Sequence, residues 1–153
     1  MPQNFAARLQ KILSDDGTKL RAIPEADSGR RAGDRDGWSR KQELGHLIDS
    51  AVNNRIRFNV AALEGRYTGP TYDGNGWVDL GGYTEMPWTD IVETWTVLNR
   101  ALAIGIQRIP KERLSASCKV GDHDPWSLES LIEDYIDHMQ HHLEHILEAD
   151  QQR

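Results

Sequence analysis

A chain of 153 residues, 38% of them apolar, can bury one core without covalent staples and is too short for two full domains, so one domain over 1–153 is expected. With 18 Lys and Arg scattered among 24 Asp and Glu, the formal net charge is -6, which argues against a general phosphate-backbone binder and makes nucleic acid an unexpected partner. The single cysteine, Cys118, excludes an internal disulfide and a Cys-rich zinc site, so any metal ligands must come from His and carboxylates.

The opening stretch MPQNFAARLQKILSDDG has no continuous apolar core of the signal-peptide kind, and no segment approaches the roughly 18 apolar residues of a membrane span. A soluble cytoplasmic protein with no membrane partner is expected. Phe5, Leu9, Ile12 and Leu13 recur at three- and four-residue steps and predict a first helix over approximately Asn4 to Ser14, ended by Asp15-Asp16-Gly17. From Ile23 to Gly37 the composition turns polar and glycine-rich, with Arg30 and Arg31, and reads as a solvated surface loop.

Ser39 and Gln42 form a capping-box pattern at the start of a second helix, which should run to about Leu63 and stop at Gly65. A long link follows, RYTGPTYDGNGWVDLGGYTEMP, of a length that is usually functional or crosses a bundle. The third helix is placed between Pro87 and Ile109 on the stripe Ile91, Trp95, Leu98 and Leu102, with Pro110 as terminator. The fourth begins near Asp124, a candidate cap, with Pro125 at the first helical position, and continues to roughly Ala149. Nothing reads as a run of alternating strands. The expected class is all-α, a four-helix bundle.

Four of the chain's six histidines lie between His138 and His145, interleaved with Met139 and Leu143 and followed by Ile146, which is not the pattern of an expression tag. Residues four apart on a helix stand on one face, so His138 with His142, or His141 with His145, could offer two imidazoles to one ion. A helical wheel at about 100° per residue separates these pairs. His142 falls inside the apolar stripe and His138 at its margin, whereas His141 and His145 lie towards Asp134 and Asp137 on the polar side and read as a solvated face.

Two stacked imidazoles in an apolar stripe need a partner, and a shared metal ion is one; bundle hydrogen bonds are the other. A third ligand would come from His46, mid-helix between Leu44 and Leu47, or from His123 in the GDHDP turn. The rigid mid-helix position favours His46. Ser50 and Asn53 continue a polar strip on its face, which suggests a lined cavity.

The segments WSRKQELGHLIDSAVNNRIRFNVAALEG, YDGNGWVDLGGY and YIDHMQHHLEHI, in that order from Trp38 to Ile146, resemble the DinB superfamily, especially its YfiT-like branch of metal-dependent hydrolases and bacillithiol transferases. The resemblance implies an up-down-down-up bundle and one divalent ion held by three histidines, which map to His46, His138 and His142. It also implies a homodimer. Three neutral nitrogen ligands leave open positions, as in catalytic sites, where zinc or nickel, or else iron, could lower the pKa of a bound water or hold a thiol as thiolate.

Thiol-dependent S-transfer to a small electrophile is the function expected, using a low-molecular-weight thiol and no protein nucleophile. Hydrolysis by metal-activated water and a non-catalytic metal-binding stress protein are the alternatives. Cys118 reads as incidental, with neither a base nor a metal partner nearby in sequence. Asp49 could orient a ligand or bind a substrate group, and Arg57 could pair with Asp73 or receive an anionic substrate. Tyr72 and Trp77 could wall the metal cavity, and Trp95 and Trp126 are assigned to packing.

Overall fold

The structure, a computed structural model, describes residues 1–30 and 37–151, with side chains to Leu147. Helix α1 (Pro2–Ala22) opens with proline in its first turn and runs straight through Asp15-Asp16-Gly17, where the sequence pattern places its end. Leu20 beyond Gly17 is fully buried, and Ile23, just past the helix, is buried as well, which offsets the roughly 1 kcal/mol that an interior glycine costs. The real terminator is Pro24: it holds Ile23 extended, at φ -71° and ψ 122°.

Within the expected loop, residues Glu25–Ser28 form a short helix, α2. The part of that loop containing Arg31 lies outside the described residues. Glu25 accepts hydrogen bonds from the Trp88 backbone N–H at 2.9 Å and from Ser28, and pairs with Lys41 at 3.0 Å, so one carboxylate ties three elements together. Those bonds hold its carboxyl down to about 2. Nearby Arg40, almost fully buried, donates to the backbone oxygens of Asp27 and Ile146.

Helix α3 (Arg40–Glu64) has the boundaries its punctuation predicts. Ser39 and Gln42 satisfy each other's backbone N–H groups in a complete capping box, and Gly65 ends the helix at φ +82°, a left-handed conformation that costs a side-chain-bearing residue strain. The long link then orders itself as strand β1 (Arg66–Gly69), helix α4 (Gly74–Gly81) capped by Asp73, and a 3-10 turn over Tyr83–Glu85. Helix α5 (Trp88–Gln107) carries the predicted stripe, with Ile91, Trp95 and Leu102 buried.

Strand β2 (Ser117–Val120) pairs in parallel with β1 and antiparallel with β3 (Trp126–Ser127). These short strands add a small three-stranded sheet to an otherwise helical bundle. They also displace the last helix: α6 (Leu128–Gln151) starts after Trp126 and Ser127 have been taken into the sheet, and Ser127, not Asp124, accepts from the Ser130 N–H at 3.0 Å.

In the bundle α5 packs on α1 and α3, and α6 packs on α3 and α1, so consecutive long helices α1 and α3 sit diagonally opposite. The topology is up-down-down-up. Because α3 and α5 run the same way, the strands that leave their C-terminal ends also run the same way, hence the parallel β1–β2 pair. Leu44, Leu47, Trp88, Ile91, Trp95, Leu128, Ile132 and Ile136 form the centre of the core. No helix among the described residues is long and apolar enough to cross a membrane.

Replacing Ser39 by Ala should remove the capping box and lower the unfolding free energy by about 1 kcal/mol, read from the urea transition. An unchanged midpoint would show that the neighbouring contacts of Glu25 and Arg40, not the cap, hold the start of α3.

Candidate metal centre and adjoining cavity

His46 on α3 faces His138 and His142 on α6. The Nε2 atom of His138 lies 3.4 Å from that of His46 and 3.1 Å from that of His142. One nitrogen from each ring falls within 4.8 Å of the others, a cluster that could hold a metal ion. His46 and His142 are buried and His138 is half-buried. Burial, reinforced by the neighbouring rings, pushes His46 and His138 down to about 4, so both are neutral and keep a nitrogen lone pair at neutral pH.

The third ring is oriented by a residue that sequence reasoning passed over. Glu43, one helical turn before His46, accepts from His142 Nδ1–H at 2.8 Å and from His145 Nδ1–H at 2.8 Å. With that proton on Nδ1, His142 presents an unprotonated Nε2 to the other two rings. Burial raises the Glu43 carboxyl, but the hydrogen bonds from His142 and His145 outweigh it and hold it below the ordinary carboxylate range. The available signal was the three-residue spacing to His46, which places Glu43 on the same face of α3.

His145 is thus half-buried and bonded rather than solvated, which corrects the wheel-based reading of the polar pair; His141 is exposed. Its neighbour Glu43 could draw it inwards because one buried carboxylate has lone pairs enough for two imidazole donors. Against the other side of the cluster, the Trp38 ring packs 4.8 Å from the His46 ring. His46 Nδ1 is buried with no hydrogen-bond partner.

The donor set suits a divalent ion. Two imidazoles that burial holds neutral, His46 and His138, and a third oriented by the Glu43 carboxylate bring their ring nitrogens together in one small volume.

Asp49 is not an exposed helix carboxylate. It is 5% exposed, accepts from the Tyr83 hydroxyl at 2.6 Å and keeps its second oxygen buried without a partner; burial raises its pKa. The Tyr83 ring can reach it because Gly45 has no side chain: a Cβ there would overlap the ring. Asn53 turns back to the Asp49 carbonyl, while Asn54, hydrogen-bonded to the Ser50 carbonyl at 2.8 Å, is the asparagine that continues the polar strip inwards.

A cavity of about 270 Å³ opens beside His138. Ser50, Asn54 and Arg57 of α3 line one side, Thr71 and Tyr72 of the link another, and Leu131, Asp134, Tyr135 and His138 of α6 the third. His123 and Trp126, their rings 4.4 Å apart, stand at its edge with Val120. Trp126 thus packs on His123 and lines the cavity, and His123 lies beside the cavity instead of among the three clustered imidazoles.

Trp77, 40% exposed, is not among the residues lining this cavity; it meets Tyr72 edge-to-face with ring centres 5.6 Å apart and lines an adjoining outer groove. Asp73 caps α4 and makes no ion pair with Arg57, because its carboxylate is turned to the Gly76 N–H. Cys118 is fully buried in β2, its thiol pKa raised by that burial, and it is not among the cavity-lining residues.

The profile of the DinB superfamily matches residues 1–146. The chain belongs to the DinB superfamily. A relative from Halalkalibacterium halodurans, named as a proposed metal-dependent hydrolase, is 26% identical over 112 residues, 73% of this chain. That match spans 65% of the relative, less than two thirds of its length. YfiT from Bacillus subtilis, described as a metal-dependent hydrolase candidate with an unusual four-helix-bundle topology, superposes with a TM-score of 0.87 at 20% identity, covering 99% of this chain and 86% of YfiT. A mycothiol-dependent maleylpyruvate isomerase superposes with a TM-score of 0.78 at 10% identity over 95% of this chain and 60% of that enzyme. At these identities the superpositions establish that this DinB chain shares their fold.

The depressed imidazole pKa values have a stability consequence of definite sign. A ring whose folded pKa lies below the ordinary value of about 6.5 favours the fold while neutral, so its contribution is complete above that pH and is lost as the pH falls towards and through about 4. On acidification from about pH 7 to about pH 5, the metal-free protein should therefore lose roughly a kcal/mol or more of stability relative to His46→Ala, followed by urea unfolding. Superimposable pH profiles for the two proteins would contradict this assignment.

Proposed function

We propose that this chain is a metal-dependent enzyme that transfers a low-molecular-weight thiol to a small electrophile, with His46, His138 and His142 holding one divalent ion. The observation that carries the reading is the convergence of three imidazoles, one of which, His138, also lines a cavity with no cysteine among its described lining residues. The structural likeness to a thiol-dependent isomerase supports the choice of co-substrate. When bound, zinc, nickel or iron would supply the Lewis acidity that lowers the pKa of a thiol or a water molecule.

The chain's own residues do the rest. Burial keeps His46 and His138 deprotonated, and Glu43 fixes the His142 tautomer. Tyr135 and Leu131 give the cavity apolar surface, and Tyr72 lines it from the link. In the reaction a sulfur–carbon bond forms, the leaving group departs with its electron pair, and the thiol proton passes to solvent. Because Cys118 is buried in the sheet, the attacking sulfur must come from outside the chain. Hydrolysis of a small amide or ester is the second reading, favoured by the description of the Halalkalibacterium halodurans relative.

Elemental analysis of protein never exposed to a nickel column should find about one equivalent of one metal, absent from folded His46→Ala and His142→Ala. Glu43→Gln should keep the site but weaken its metal affinity by about 10- to 100-fold. No stoichiometric metal, even after reconstitution with zinc or nickel, would reduce the cluster to a polar core network. For the reaction itself, turnover of an electrophile panel should require an added thiol; full-rate product formation without one would replace the transferase reading with the hydrolase.

A further inference from the structure

Arg57 is 8% exposed, yet it lacks what a buried cation ordinarily has. Its guanidinium carries five N–H donors, of which one is given to the Pro70 carbonyl at 3.3 Å. The group lies over the Tyr72 ring, 5.7 Å from its centre, and no carboxylate among the described residues pairs with it. Asp73, the nearest candidate by sequence, is occupied in capping α4. Arg57 also lines the cavity that His138 borders.

A buried cation that the fold leaves without a counter-ion is destabilising unless something else supplies the charge. We propose that Arg57 is the anchor for a carboxylate on the electrophilic substrate, so that the cavity takes small carboxylic acids with their reactive centre turned towards the three histidines. This rests on the reading of the cavity as a substrate site. The planar guanidinium, backed by the Tyr72 ring, presents its edge as a fork, which matches the two oxygens of a carboxylate. Among the described residues Arg57 is the only Lys or Arg in the lining, and Asp134 stands exposed on α6 in the same wall, so a singly charged anion is better matched than a phosphate dianion.

Arg57, Thr71 and Tyr72 also line the outer groove that contains Trp77, which makes the location of the anion part of the claim. The anion is assigned to the cavity of His138 because that cavity borders the histidine cluster, whereas no histidine is among the described residues lining the groove.

The test uses wild-type protein freed of metal, so that its result does not depend on the metal reading. Benzoate, pyruvate and fumarate are titrated beside benzamide, pyruvamide and fumaramide, with the Arg57 Nε–H resonance followed by NMR. The expected result is that at least one carboxylate shifts that resonance, its neutral amide does not, and intermolecular NOEs reach the Leu131 methyls. Arg57→Gln should weaken the binding by about tenfold or more, with Arg57→Lys intermediate.

Four results would overturn it: no carboxylate binding at millimolar concentration, equal binding of the amides, unchanged affinity in folded Arg57→Gln, or NOEs to the Trp77 indole alone. Should Arg57→Gln not fold, the wild-type resonance and NOEs decide. Carboxylate binding that appears only in zinc-loaded protein and ignores Arg57→Lys would also overturn it, assigning the anion to the metal. Loss of metal stoichiometry with intact carboxylate binding would instead remove the metal reading and leave Arg57 in place.

Discussion

The site depends on one buried carboxylate that crosses between two helices. Glu43 sits in the first turn of α3 and accepts from two imidazoles of α6, so it fixes the rotation of both helices about their axes at the point where they meet. Removing it would leave two imidazole N–H groups, one buried and one half-buried, without their acceptor. The same contact sets the His142 tautomer.

A second set of contacts closes the site from the link. Two helices that run parallel, α3 and α5, cannot be joined by a tight turn, and the connecting chain must return along the bundle. The molecule uses that enforced length. On the way back it lays Thr71 and Tyr72 against α3 as a cavity wall, caps α4 with Asp73, and drops Tyr83 into the gap left by Gly45 to bond Asp49. The short sheet at the bundle's end follows from the same parallel arrangement, and it carries His123 and Trp126 to the rim of the cavity.

Helix α3 is accordingly unlike a simple amphipathic helix. It buries Arg40, Glu43, His46, Asp49, Ser50, Asn54 and Arg57 along with its leucines. Most of these polar groups have partners inside the protein: Arg40 binds backbone oxygens, Glu43 the histidines, Asp49 Tyr83, and Asn54 the preceding turn. Among the described residues, His46 Nδ1, Asp49 Oδ2 and Trp95 Nε1 are buried without a hydrogen-bond partner, and Arg57 donates one bond, to the Pro70 carbonyl. Folding alone penalises such groups, and of these residues Arg57 borders the cavity beside His138.

Local chemistry in the sequence was enough for the main helices, because caps and periodicity are short-range: Ser39 with Gln42 and Gly65 bound α3, and the Ile91 stripe locates α5. The order of motifs was enough for the family, and the wheel separated His142 from exposed His141. It misjudged what depends on long-range burial. Gly17 does not break α1 because Leu20 beyond it is buried against another helix, and the start of α6 moves because Trp126 and Ser127 pair with a strand whose apolar alternation is too short to read. Only the tertiary structure decided that His145 turns to Glu43, that Asp73 leaves Arg57 unpaired, and that Tyr72 but not Trp77 walls the cavity. Those choices depend on which side chains, roughly a hundred residues apart for Glu43 and His145, come within hydrogen-bond reach, and spacing along one helix carries no information about that distance.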